Sequence, residues 1–191
     1  MMPLPLMLQS LPQDTDLLML VDPMRSDFRS PFYGSGVGIS SLHRSLDKVM
    51  AQYSEVVALW TSGGGFPAVR FAKNSALKRG ISIGGRGTDD TLDILRKRQL
   101  YSADDPLCNC NPAQKTQAVY IYGALHTTDK AAAETCRPQV NSHLLPIANR
   151  REHVILWSIL LAGKLGEFWD TFLDTQSSPT QLRSMIDTVW S

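Results

Sequence analysis

A chain of 191 residues with 43% apolar side chains is long enough for one domain with a sizeable core. Its formal net charge of +1 excludes a wholly basic nucleic-acid binder, and its three cysteines exclude a disulfide framework and favour a reducing compartment. The longest apolar stretch, near Val154–Ala162, falls far short of the ~20 residues needed to cross a bilayer, and the apolar start, Met1 to Leu8, is broken by Pro3 and Pro5 with no basic residue ahead of it, so neither a transmembrane segment nor secretion is expected.

Residues 1–16 are expected to form a flexible N-terminal segment and residues 17–191 a single compact α+β domain. Leu17–Val21 suits a short strand closed by Asp22-Pro23, and residues 25–40, rich in Ser, Gly, Pro and aromatics, an ordered loop. From Leu42 to Trp60, apolar residues (Leu42, Leu46, Val49, Met50, Tyr53, Val56, Val57, Trp60) recur with the 3.6-residue period of one buried helix face. Gly63-Gly64-Gly65 is the expected stop of that helix, because glycine enters the left-handed region at little cost. Val69 and Phe71 then alternate with Arg70 and Ala72 as in a half-buried strand, and Ile81 and Ile83 flank Ser82 in another. Gly84-Gly85-Arg86-Gly87 reads as a mobile turn, and Thr88 or Asp89 caps a helix to about Leu100. Ala118–His126 is the best strand, with Val119, Tyr120, Ile121 and Tyr122 in a row. A short helical turn follows Thr128, one long helix spans Arg150–Leu165 with His153 in it, and Ser178-Pro179 opens a last helix with Leu182, Met185, Ile186, Val189 and Trp190 on one side. The sum is a small, mainly antiparallel sheet packed against three to four helices.

Little in this chain has the spacing of a chemical motif. Cys108-x-Cys110 with Cys136, His126 and His143 could supply four zinc ligands in principle, but the C-x-C spacing is not the usual one, so no metal is expected. Gly84 to Gly87 is glycine-rich without the Gly-Lys-Ser/Thr of a phosphate loop, and Gly34-Ser35-Gly36 lacks the register of a nucleophile elbow. No catalytic residue and no cofactor is expected, although a triad assembled from distant positions leaves no trace in a single sequence. The middle of the chain is basic: Arg70, Lys73, Lys78, Arg79, Arg86, Arg96, Lys97 and Arg98 stand against only Asp89, Asp90 and Asp93. Such a run can face acidic lipid or a phosphate backbone.

The order of these features resembles the matrix protein of rhabdoviruses. In the vesiculovirus type, a helix with regularly spaced apolar residues precedes a glycine-containing loop, a Phe-rich strand and a Ser-x-Leu-Lys segment, and Leu42–Trp60, Gly63–Gly65, Phe66–Phe71 and Ser75-Ala76-Leu77-Lys78 follow that order. Lys115–Asp129, Arg150–Leu165 and Gly166–Asp170 are similar to the family's later strand, C-terminal helix and tryptophan-containing strand. The chain lacks the lysine-rich arm and the Pro-Pro-x-Tyr motif usual in animal rhabdoviruses, so a plant-infecting member is the closer fit. The resemblance implies a non-enzymatic structural protein of the virion and host cytoplasm. It would self-associate, and would bridge the viral nucleocapsid and an anionic membrane as a peripheral protein, with RNA as a further partner. The eight basic residues would make the membrane or nucleocapsid contact, and Phe28, Phe32 and Tyr33 the self-association surface. The alternatives are a nucleic-acid-binding accessory protein and a small enzyme.

Overall fold

A computed structural model describes residues 4–20, 39–62, 65–85, 115–138 and 140–189. The elements are α1 (Leu4–Ser10), α2 (Ile39–Met50), β1 (Val57–Thr61), α3 (Gly65–Asn74), β2 (Arg79–Ile83), β3 (Gln117–Gly123), α4 (Thr127–Thr135), β4 (Ser142–Ile147), α5 (Ile155–Leu161), α6 (Leu165–Leu173) and α7 (Pro179–Val189). Helices and a sheet are thus combined as expected, but the expectation of an antiparallel sheet is corrected. The four strands lie in the order β1-β2-β3-β4, and every neighbouring pair is parallel. The cause is connectivity: α3 links β1 to β2 and α4 links β3 to β4, and a crossover through a helix returns the chain in the same direction. Seven helices, rather than three or four, are present among the described residues.

The stretch from Val56 to Asn74 explains the difference. The helical period of α2 runs on by chance through Val56, Val57 and Trp60, but the chain leaves the helix after Met50 and Val57–Thr61 pairs with β2. Val57-Ala58-Leu59-Trp60 is a short apolar run of the kind parallel sheets bury, and tertiary pairing overrides the phase. The glycines therefore precede a helix instead of ending one. Gly65-Phe66-Pro67 opens α3, where the missing N–H of proline costs nothing because first-turn N–H groups have no intrahelical partner. The apparent alternation after Pro67 is a helix face, with Val69, Ala72 and Lys73 buried. Of Leu17–Val21, expected as a strand, residues 17–20 have no regular structure and Val21 lies outside the described residues. Residues 4–10, expected within the flexible segment, form α1, whose Ser10 Oγ accepts a 2.8 Å bond from the Trp169 indole.

The sheet divides two cores. On one face Ile81, Ile83, Val119, Ile121, Leu145 and Ile147 pack against α5, α6 and α7 through Ile155, Ile159, Phe168, Phe172, Leu182 and Ile186. On the other, Ala118, Tyr120, Tyr122 and Leu144 meet Val69 of α3, Ala133 of α4 and Cys136 just after it. Gly80 lets α3 lie close on β2, since a Cβ there would stand 2.7 Å from that of Ala72. The long helix expected over Arg150–Leu165 is two. Gly163 takes φ +68°, its N–H and that of Lys164 return to Leu160 and Ile159, and the chain re-enters a helix at Leu165. The last helix begins as expected, with Ser178 and Gln181 exchanging side-chain to backbone hydrogen bonds in a capping box. Arg183, one turn on, donates to the carbonyls of Leu144 (2.9 Å) and Pro146 (2.7 Å) on the edge strand β4.

Arg79, at the start of β2, is fully buried. Its guanidinium donates to the carbonyls of Phe172 (3.0 Å) at the end of α6 and of Asp174 (2.8 Å) and Ser177 (2.7 Å) in the turn to α7, and to Gln117 Oε1 (2.8 Å) on β3. Beside it, Glu55 accepts from Thr175 Oγ1 (2.6 Å) and Lys78 Nζ (2.9 Å). These bonds, the threonine's first, hold its carboxyl at about 2, below the usual 4.5. A carboxyl whose folded value is depressed contributes stability above its unfolded value and loses it as the pH falls toward the folded one. The difference in urea midpoint between wild type and Glu55→Gln should therefore be constant above pH 5 and shrink between pH 4.5 and about 2. Because the pair is partly exposed, the full difference is expected to be about 1 kcal/mol or less. A difference that grows on acidification would contradict the bonding described.

Candidate functional site

Parallel strands present all their C-terminal ends along one edge, which is where open α/β sheets place their ligands. Here that edge carries Ser62 directly after β1, Gly84 and Gly85 after β2, His126 and Asp129 after β3, and His153 after β4. Ser62 is exposed and has φ +54°, an uncommon conformation for a residue with a Cβ, at a turn from strand toward helix.

Three of these side chains are joined in a line. Ser62 Oγ lies 2.7 Å from His153 Nε2, and His153 Nδ1 lies 2.8 Å from Asp129 Oδ2 and 3.0 Å from Oδ1. The tautomer follows from the partners. An Asp129 carboxylate can only accept, so Nδ1 carries the proton. Nε2 is then bare and accepts from the Ser62 hydroxyl. Asp129 is buried, in the first turn of α4, and its backbone N–H donates to His126 Nδ1 at 3.2 Å, which makes His126 the N-cap of that helix. The His126 ring is tilted against that of His153, with centroids 5.4 Å apart. The ligand-capable atoms of His126, Asp129 and His153 all lie within 4.8 Å of one another.

The backbone around the line is built to fit it. Gly84 has φ +56°, and a Cβ there would meet the His153 carbonyl at 2.5 Å and Asp129 Oδ2 at 3.1 Å. At Gly123 a Cβ would meet the Arg150 carbonyl at 2.7 Å, and that carbonyl accepts the Leu125 N–H at 2.8 Å. The loop bearing His153 thus rests on the end of β3, over a glycine. Gly65 and Gly85 approach each other so closely that a side chain on either would strike Ser82.

The residues singled out in the sequence fall elsewhere. Arg70, Lys73 and Arg79 are buried, not on the open face expected to meet lipid or nucleocapsid: Arg70 and Lys73 lie in α3, and Arg79 anchors a turn. Lys78 is exposed and paired with Glu55. Arg86, Arg96, Lys97 and Arg98, and likewise Phe28, Phe32 and Tyr33, lie outside the described residues, as do Cys108 and Cys110. His126, expected as the last residue of a strand, lies three residues beyond β3 as the N-cap of α4, and His153 lies in the loop before α5 instead of in a helix. Cys136 is buried beyond the end of α4, and His143 sits on β4 opposite Val119, its imidazole held below the usual value by burial and by the charge of Arg79. Ser62 and Asp129 were not foreseen. The one available signal was the order apolar run, Ser-Gly-Gly-Gly, then a proline in a helix's first turn.

No helix among the described residues is long and apolar enough to cross a membrane. Comparison with protein-family models, curated proteins and solved structures finds no match to this chain.

Proposed function

We propose that the chain is a hydrolase of acyl compounds, esters in the first place, with Ser62 as nucleophile, His153 as general base and Asp129 as the residue that orients the base. The observation that carries this reading is the unbroken line Ser62–His153–Asp129, at 2.7 and 2.8 Å, on the ligand-bearing edge of a parallel sheet. A nucleophile within hydrogen-bond reach of a base that is itself held by a third group is the arrangement that activates serine. Ser62 Oγ attacks the acyl carbon and its proton passes to His153 Nε2. The protonated imidazole then returns that proton to the departing alkoxide. Water, deprotonated by the same nitrogen, releases the acid and restores the serine. Helix α3 begins three residues after Ser62, and the positive end of its dipole would favour an oxyanion formed near it.

The test is covalent labelling of the full chain with a fluorophosphonate, which reacts with activated serines by losing fluoride. Wild type should be labelled at Ser62, with labelling lost in Ser62→Ala and slowed at least about 100-fold in His153→Ala, the lower end of a general base's contribution. Absence of labelling in folded wild type, or labelling at another residue, would overturn the assignment.

A further inference from the structure

We infer that His126, Asp129 and His153 form a Zn2+ site, and that zinc bound there switches off Ser62. The second half rests on the serine reading above; the first does not. The capping and the relay leave an unusual concentration of donors at one point. His126 Nδ1 stands 3.2 Å from Asp129 Oδ1, and His153 Nδ1 stands 3.0 Å from the same oxygen. Ligands held 2.0–2.2 Å from a tetrahedral zinc lie about 3.4 Å from one another. Two edges of the ligand triangle therefore already have nearly the right length. The third, between the histidines, needs a turn of the partly exposed rings in which His126 Nδ1 exchanges the Asp129 N–H for the metal, every ligand atom being within 4.8 Å of the others. Two imidazoles and one carboxylate suit zinc better than magnesium or calcium, which prefer oxygen. Three protein ligands leave a fourth position for solvent. Asp129 is buried, while the side chains of His126 and His153 remain 29% and 37% exposed, so an ion can enter from solvent.

The consequence for the serine follows from one proton. Zinc on His153 Nδ1 displaces the hydrogen that Asp129 accepts. The displaced proton passes through solvent to Nε2, so the ring stays neutral, with metal on one nitrogen and hydrogen on the other. Nε2 then becomes a donor toward Ser62 Oγ, where before it was the acceptor. The hydroxyl loses its base.

Two readouts on the full chain separate the two halves. In competition with a chromophoric zinc indicator, wild type and Ser62→Ala should each bind one Zn2+. His126→Ser, which keeps a capping oxygen for α4 but removes an imidazole, should bind at least about tenfold more weakly, since even groups that only support a ligand are worth that much. Wild type binding no more tightly than a folded His126→Ser would overturn the site. In fluorophosphonate labelling, Zn2+ should slow wild type and a chelator should restore it, while the rate of His126→Ser, whatever its own value, should not respond at the same zinc concentration. Labelling of zinc-bound wild type at the zinc-free rate would overturn the switch. One zinc bound by a chain that is never labelled would leave the metal site standing and remove the serine reading.

Discussion

Arg79→Met should lower stability by roughly 3–5 kcal/mol, the range for breaking a buried charged network by removing one partner. The aliphatic replacement fills part of the space, so the loss is not chiefly one of packing. It arises because the carbonyls of Phe172, Asp174 and Ser177 and the Gln117 side chain, which share the guanidinium, would be left without their donor. Each buried acceptor stranded in this way costs about 1–3 kcal/mol where water cannot replace the donor. Burial lowers the proton affinity of the Arg79 guanidinium, and the nearby Asp174 and Glu55 oppose that shift. Urea unfolding followed by circular dichroism gives the measurement. A fall of less than 1 kcal/mol would mean that solvent reaches the turn between α6 and α7 and satisfies those carbonyls.

Asp129→Asn should leave the fold intact and reduce the rate of serine labelling, and of ester turnover, by roughly 10³–10⁴-fold, the scale set by loss of the correct tautomer in such relays. The asparagine is nearly isosteric and stays at the start of α4, where it is well tolerated. What changes is the direction of one hydrogen bond. An amide can donate to His153 Nδ1, which favours the tautomer with its proton on Nε2, and Ser62 then faces an N–H instead of a lone pair. The loss should appear in kcat more than in KM, because Asp129 does not face the substrate. A variant that unfolds at the wild-type urea midpoint and is labelled within threefold of the wild-type rate would show that Asp129 does not orient the base.

Much of the secondary structure was legible. Ser178-Pro179 announced α7 through cap chemistry, and the run of β-branched and aromatic residues announced β3. Both signals are local, and local signals survive without knowledge of the rest of the fold. The stretch from Val56 to Asn74 was misread because its cues are ambiguous at short range. Three glycines end a helix or begin one with equal ease, and an apolar residue every third or fourth position can belong to a helix and a following strand in accidental phase. Once β1 was taken for helix and α3 for strand, the alternation of strand and helix that marks a parallel sheet disappeared from view. The basic run was read as surface because charge usually is, yet Arg79 is buried by carbonyls that lie 93 to 98 positions away along the chain. The site was legible only in fragments. His126 could be named as a possible ligand, but Ser62, Asp129 and His153 acquire meaning only when four strand ends are brought to one edge, and nothing in a single sequence reports that convergence.

Strand β2 has Arg79 at its first position and Gly84 just past its last. The first ties the C-terminal helices to the sheet; the second makes room for His153 and Asp129. One short strand thus has a hinge pin at one end and a workbench at the other. Inheritance should treat the two edges differently: exposed Ser62 can be exchanged while the chain still folds, whereas change at Arg79 is paid in folding first. A chain divided in this way can drift far in chemistry while its architecture stands still.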